Sequence, residues 1–204
     1  MQDYVQKCKR TESLISEIEI NPRILHAILG INTEAVELLV NAENKNELVN
    51  YAEELGDLNW YLAVLCDSLN INFNELLNKS KSYTLDELER LMDSENVTSS
   101  QTVSLKYYIP DNIIIKKLII TSSDLLDLIK KQIFYKKAYT KEYIIGKLED
   151  IFRLNIHLCS NLGLSIDNIL KTNIAKLTAR YPDKFCEDKA INRDLGAELE
   201  TLKV

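Results

Sequence analysis

Ile24-Leu-His-Ala-Ile-Leu-Gly-Ile-Asn-Thr-Glu-Ala-Val-Glu-Leu-Leu-Val40 decides the fold class. Its apolar residues at Ile24, Leu25, Ile28, Leu29, Ile31, Ala35, Leu38 and Leu39 recur at helical spacing. Asn21-Pro22 just before it supplies an N-cap and a first-turn proline. Outward from there the same period continues. Leu48, Tyr51, Leu55, Leu58, Leu62, Leu65 and Leu69 predict a second helix over about 47–69, and Asn72 caps a short helix over 73–77. Thr84-Leu-Asp-Glu87 is a capping box that opens another helix through Leu91. From Asp93 the sequence turns polar and aperiodic, which reads as a linker over 93–108. Helical periodicity returns over 112–131 and 141–162. Ser165 then caps a helix carrying Ile166, Ile169, Leu170, Ile174 and Leu177, which Tyr181-Pro182 ends or kinks. A weaker last helix is expected over 187–202. With only five Gly and three Pro in 204 residues, the chain reads as all-α.

A 46% hydrophobic, 27% charged composition can build a core and excludes disorder as the main state. The 25 basic and 31 acidic residues leave a net charge of −6, which argues against a nucleic-acid partner, although a local basic patch can hide in an acidic total. Cys8, Cys66, Cys159 and Cys186 form no CxxC pair, and His26 and His157 are the only histidines. A zinc site or dense disulfide framework is therefore not expected; buried free thiols in a reducing compartment are. The N-terminal ten residues lack the apolar core of a signal peptide, and no run reaches the length of a membrane span. The expectation is a cytoplasmic protein with no membrane partner.

The two halves resemble each other. With an offset of 93, Leu55, Asp57, Leu58, Leu65, Cys66, Leu69, Leu76 and Leu77 fall on Leu148, Asp150, Ile151, Leu158, Cys159, Leu162, Ile169 and Leu170. With an offset of 90, Glu34 and Glu37 fall on Asp124 and Asp127. Helical periodicity alone produces some of these matches, but the pattern predicts two repeats packed as a pseudo-symmetric bundle: 1–92, linker 93–108, and 109–204.

Glu34-Ala-Val-Glu37 and Glu54-Leu-Gly-Asp57 are the residues that carry chemistry. Acids three apart share a helix face and repel unless a cation bridges them. Two such pairs on consecutive helices can converge into a cage of four hard oxygen ligands, which suits Mg²⁺. The alternative is two solvated helix faces in a chain rich in acids. Flanking Ala35, Val36, Leu38, Leu55 and Leu58 put the acids beside core positions, which favours the cage. Glu53 is either a general base at its edge or a surface acid.

ExxE followed by ExxD, set in His26-to-Leu38 and in Glu53-Glu-Leu-Gly-Asp-Leu-Asn-Trp-Tyr-Leu-Ala63, resembles the MazG-like all-α nucleoside triphosphate pyrophosphohydrolases. Asn173-Ile-Ala-Lys-Leu-Thr-Ala-Arg-Tyr-Pro-Asp-Lys-Phe185, with Ala190-Ile-Asn-Arg-Asp194, is similar to the C-terminal signature of the same group. Small members of that family carry both blocks in one copy and dimerise. Here the first half keeps the four acids and lacks the C-terminal block. In the second half the acids have decayed to Asp124, Asp127 and Asp150, with Lys147 opposite Glu54. A lysine there repels a cation, so the second cage is expected to be dead or weakened.

The resemblance implies a fused pseudo-dimer that cleaves a nucleoside triphosphate, ribo or deoxy, to the monophosphate and pyrophosphate. Glu34, Glu37, Glu54 and Asp57 would hold Mg²⁺, with Mn²⁺ as an alternative ion. Lys176 and Arg180 are candidates for phosphate binding, as are Lys130 and Lys131 in a segment, Lys130 to Lys137, that resembles a loop of the family. Asn59, Trp60, Phe134 and Tyr135 are candidates for the nucleoside. The alternatives are solvated charges for the four cations and plain core packing for Trp60. His26 and His157 read as packed or capping residues. Competing functions are a non-catalytic nucleotide sensor or sponge and a helical interaction module without a ligand. Monomer and homodimer both stay open.

Overall fold

The computed structural model describes residues 2–15, 17–93, 109–192, 196 and 198, and among these it holds helices and no strand. The elements are α1 (Gln2–Lys9), α2 (Pro22–Asn44), α3 (Leu48–Ser68), α4 (Phe73–Lys81), α5 (Leu85–Asp93), α6 (Asp111–Tyr135), α7 (Lys141–Asn161), α8 (Ile166–Arg180) and α9 (Glu187–Ile191).

Most boundaries follow local chemistry. The Asn21 side chain accepts a hydrogen bond from the Arg23 amide and opens α2. The capping box forms as read: Thr84 Oγ1 accepts from the Glu87 amide at 3.2 Å and Glu87 Oε2 accepts from the Thr84 amide at 2.7 Å. Asn72 caps α4 through the Glu75 amide, whereas Ser165 starts α8 without a side-chain cap. Four expectations need revision. An unanticipated helix, α1, precedes the core, and α4 runs a full turn beyond 77. The Lys130–Lys137 segment is no loop, because α6 continues to Tyr135 and stops only where Lys136 turns left-handed. The last helix breaks at Asn192; Gly196 and Glu198 are again helical, and the rest of 193–204 lies outside the described residues. So does the expected linker beyond Asp93.

α2 and α3 form one helical hairpin and α6 and α7 another; α2 packs along α6, α8 lies against α3, and α4 lies against α7. Each half thus sends the helix that follows its hairpin onto the other half's hairpin. One core joins them, with Ile28, Ile31, Leu38, Leu55, Leu62, Ile114, Leu118, Leu148, Ile151 and Phe152 fully buried. Side chains of that size each contribute about 1.5–3 kcal/mol by leaving water. Asn32 Nδ2 donates to Ser122 Oγ and Ser123 Oγ across the α2–α6 seam, at 2.9 and 3.0 Å.

Local details repeat between the halves. Ile71 N donates to Cys66 O at 2.8 Å, and Leu164 N donates to Cys159 O at 2.8 Å. The residue before each, Asn70 and Gly163, takes a positive φ of 52° and 69°, the left-handed helix ending that Gly and Asn tolerate best. All these pairs stand 93 apart.

By length and composition α2 could cross a membrane. It carries Glu34 and Glu37 in its middle, however, and buries Ile24, Ala27, Ile28, Ile31, Ala35 and Leu38 in the bundle. Among the cysteines Cys66 and Cys159 are buried as expected, and burial pushes each thiol up to about 12. Cys8 and Cys186 are exposed, contrary to expectation, because α1 and the start of α9 lie outside the core.

Candidate metal centre

The α2–α3 hairpin brings Glu34, Glu54 and Asp57 together, with one carboxylate oxygen of each within 4.8 Å of the others. Register explains the meeting. Ala35 and Leu38 on α2 and Leu55 and Leu58 on α3 are wholly buried, so the acids between them stand at the rim of the same interface. Glu37, a turn further along α2, is exposed and adds its field to both Glu34 and Glu54.

Burial first, then the neighbouring carboxylates Glu37, Asp57 and Glu54, pushes Glu34 up to about 8, with Lys176 pulling the other way. Burial, then Glu37, Glu53 and Asp57, lifts Glu54 to about 7 against a hydrogen bond from Asn41. Acids so placed hold their negative charge poorly until a cation arrives. Hard oxygen donors from three half-buried carboxylates fit a small divalent ion such as Mg²⁺.

The second half of the chain supplies a cation of its own. Lys176 on α8 is fully buried, and its Nζ donates to both oxygens of Asp57 at 2.6 and 2.7 Å and to Glu53 Oε1 at 3.3 Å. Asn173 Nδ2 donates to Asp57 Oδ1 at 2.7 Å. The helices approach closely there because α3 has Gly56: a Cβ at that position would stand 2.9 Å from Asn173 Nδ2. On the other flank a Cβ at Gly30 would overlap the Tyr61 ring at 2.3 Å. Tyr61 therefore packs its ring against α2 at Gly30, in T-shaped contact with Trp60 (centroids 4.9 Å apart) and His26 (5.3 Å). Its hydroxyl pKa is raised by burial and by Glu34, Asp57 and Glu37.

Of the candidate residues, Glu34, Glu54, Asp57, Glu53 and Lys176 meet at the cluster, and Trp60 stands a turn away beside Tyr61. Others are placed elsewhere. Asn59 is wholly buried in the core and donates to the Leu55 carbonyl at 2.6 Å, because it follows Leu58 on the inward face of α3. Arg180 makes a two-pronged pair with Glu198. Lys130 and Lys131 both pair with Asp127, and Phe134 and Tyr135 are exposed at the end of α6. His157 is held by the Tyr83 hydroxyl at 2.7 Å, and His26 is exposed with its ring in T-shaped contact with Tyr61. Reading the sequence missed Asn41, Tyr61 and Asn173. Two lone glycines inside helices, Gly30 and Gly56, were the available signal, since such residues mark close approaches.

In the second half Lys147, 93 residues after Glu54, forms an ion pair with Asp124, 90 residues after Glu34. Asp150, 93 residues after Asp57, pairs with Arg153 at 3.1 Å. Ammonium and guanidinium groups thus pair with the acids of this hairpin, as Lys176 pairs with Asp57 in the first.

Residues 24–82 match the family described as phosphoribosyl-ATP pyrophosphohydrolase. That family is all-α and related to the MazG-like nucleoside triphosphate pyrophosphohydrolases, so the resemblance read from ExxE and ExxD holds for this segment. The matched stretch spans α2, α3 and α4, including every acid of the cluster. It gives the general class, a pyrophosphohydrolase type of hydrolase acting on nucleotides. Comparison with curated proteins and with solved structures returned no match.

Proposed function

We propose that this protein is a Mg²⁺-dependent pyrophosphohydrolase that cleaves a nucleoside triphosphate, ribo or deoxy, to the monophosphate and pyrophosphate. The observation that carries the reading is the convergence of Glu34, Glu54 and Asp57 on the hairpin that matches the family. When bound, the ion screens triphosphate oxygens and makes a water acidic enough to attack at neutral pH. Glu34, Glu54 and Asp57 would hold it, with Glu37 available from the next turn of α2. Asn173 fixes the orientation of Asp57. Lys176 balances the charge of Asp57 and Glu53, and its ammonium beside the carboxylates is the candidate to meet a phosphate oxygen. Glu53, held by Lys176, is the candidate to accept the proton of the attacking water. Trp60 and Tyr61 offer flat surfaces for the base.

The same reading makes the chain a fused pseudo-dimer with one composite site, working in the cytoplasm. The crossed packing of α8 on α3 and α4 on α7 supports it, as do the matching helix endings. The family's name adds phosphoribosyl-ATP as a substrate to try. One observation favours the non-catalytic binder: both oxygens of Asp57 are already taken by Lys176.

Pyrophosphate release from a panel of NTPs, dNTPs and phosphoribosyl-ATP, with Mg²⁺ and with EDTA, separates the readings. Release that requires Mg²⁺ establishes the enzyme, and its ranking names the substrate. Nucleotide bound but never cut by folded protein establishes the binder.

A further inference from the structure

The second half has a pocket of about 460 Å³ where α6 meets α7. Its walls include Asp124, Asp127, Lys131, Lys137, Tyr139 and Tyr143. Asp124 and Asp127 stand 90 residues after Glu34 and Glu37, so the α6 wall of the pocket carries the residues at the offset of the α2 acids in the other hairpin.

The charge there is reversed. Asp127 is paired with both Lys130 and Lys131, and Asp124 with Lys147. Lys147 also lies 5.7 Å from the centre of the Tyr143 ring. Lys137 adds a further ammonium at the exposed rim. Lys131 and Lys137 thus line the pocket together with the two aspartates, and Lys130 and Lys147 are seated on those same carboxylates. A divalent cation would have to displace lysines already seated on the acids, whereas an anion finds an excess of positive charge in place. Arg and Lys groups of this kind, gathered at a concave site, bind phosphate through charge-assisted hydrogen bonds. Tyr139 and Tyr143 provide aromatic faces on the α7 side, suited to a planar ring. The volume falls in the range of pockets that enclose a molecule of nucleotide size.

We propose that this pocket is a second, metal-independent binding site for a nucleoside phosphate. Its lysines hold the phosphate, Tyr139 and Tyr143 flank the base, and nothing there activates a water, so the ligand is bound and not cleaved. The proposal goes beyond the catalytic reading of the acidic cluster and stands whether or not that cluster turns over a substrate.

Calorimetric titration of the full chain with ADP in EDTA tests it, with inorganic pyrophosphate titrated in parallel. ADP should bind at one site per chain without metal, and Glu54→Gln should leave that binding unchanged. Lys137→Glu should weaken ADP about tenfold or more, as expected for a lost charged contact. Tyr143→Ala should weaken ADP and leave pyrophosphate unchanged. Lys137 and Tyr143 are exposed, so both variants should fold, which circular dichroism verifies. Absence of ADP binding in EDTA would overturn the proposal. So would ADP binding that Lys176→Met abolishes and Lys137→Glu leaves intact, because that places the ligand at the first site. Pyrophosphate binding as tight as ADP would remove the nucleoside from the assignment and overturn it as stated.

Discussion

Lys176 Nζ, with no exposed surface, lies 2.6 and 2.7 Å from the two carboxylate oxygens of Asp57, which comes from the other half of the chain. A buried ammonium in that position stands where a cation is needed, and it ties α8 to α3. Lys176→Met should therefore destabilise the metal-free protein by about 1–3 kcal/mol, because it removes charged hydrogen bonds from the half-buried Asp57 and Glu53. Thermal unfolding measures this. Mg²⁺ should raise the melting temperature of the variant more than that of the parent, since metal then replaces the missing charge. Equal shifts in the two proteins would separate Lys176 from the metal site.

Glu34 and Glu54 predict a pH dependence with a definite sign. Their pKa values in the folded protein, about 8 and about 7, lie above the ordinary carboxylate value of 4.5. Between 4.5 and those values the native state holds more protons than the unfolded chain, so stability falls as pH rises. The melting temperature in EDTA should decline from pH 5 to pH 8.5. Saturating Mg²⁺ should flatten that decline, because the ion binds the ionised acids and releases their protons. A metal-free melting temperature that rises across this window would contradict the cluster as described.

The hairpin and its acids were legible in the sequence because each depends on one short period: apolar residues at helical spacing, and acids three apart between them. The partners of those acids were not. Lys176 and Arg180 read alike as helix charges four residues apart, yet one is buried on Asp57 and the other pairs with Glu198. Nothing local separates them, since the difference comes from how α8 lies on α3. Asn59 was misread for a similar reason. It follows Asp57 by two residues, which turns it onto the core face of α3 and away from the acids.

Asymmetry between the halves gives a paired test. Glu54→Gln should lower Mg²⁺-dependent turnover by at least about 10²-fold, as loss of a group that holds charge in the reacting complex does. Asp150→Asn should leave turnover largely intact, because Asp150 already spends its charge on Arg153. Steady-state rates of pyrophosphate release decide the matter. Comparable losses in both variants would sink the single-site arrangement.

Two glycines, one on the second helix of each hairpin, should respond to alanine in opposite directions. Gly146 in α7 is exposed, and a Cβ there meets nothing within 4 Å. Gly146→Ala should stabilise the protein by about 0.5–1 kcal/mol through helix propensity alone. Gly56→Ala gains the same propensity, but its Cβ would stand 2.9 and 3.0 Å from Nδ2 and Cβ of Asn173. Asn173 Nδ2 could swing aside, whereas its Cβ moves only if α8 shifts. Overpacking of this kind costs about 1–3 kcal/mol, so the net effect should be destabilising. The shift of α8 would also draw Asn173 and Lys176 off Asp57, so Gly56→Ala should lose Mg²⁺-dependent turnover beyond any loss of folded protein. Chemical denaturation of both variants, with turnover measured per folded molecule, checks both parts. A stabilised, fully active Gly56→Ala protein would mean that the α3–α8 contact does not position Asp57.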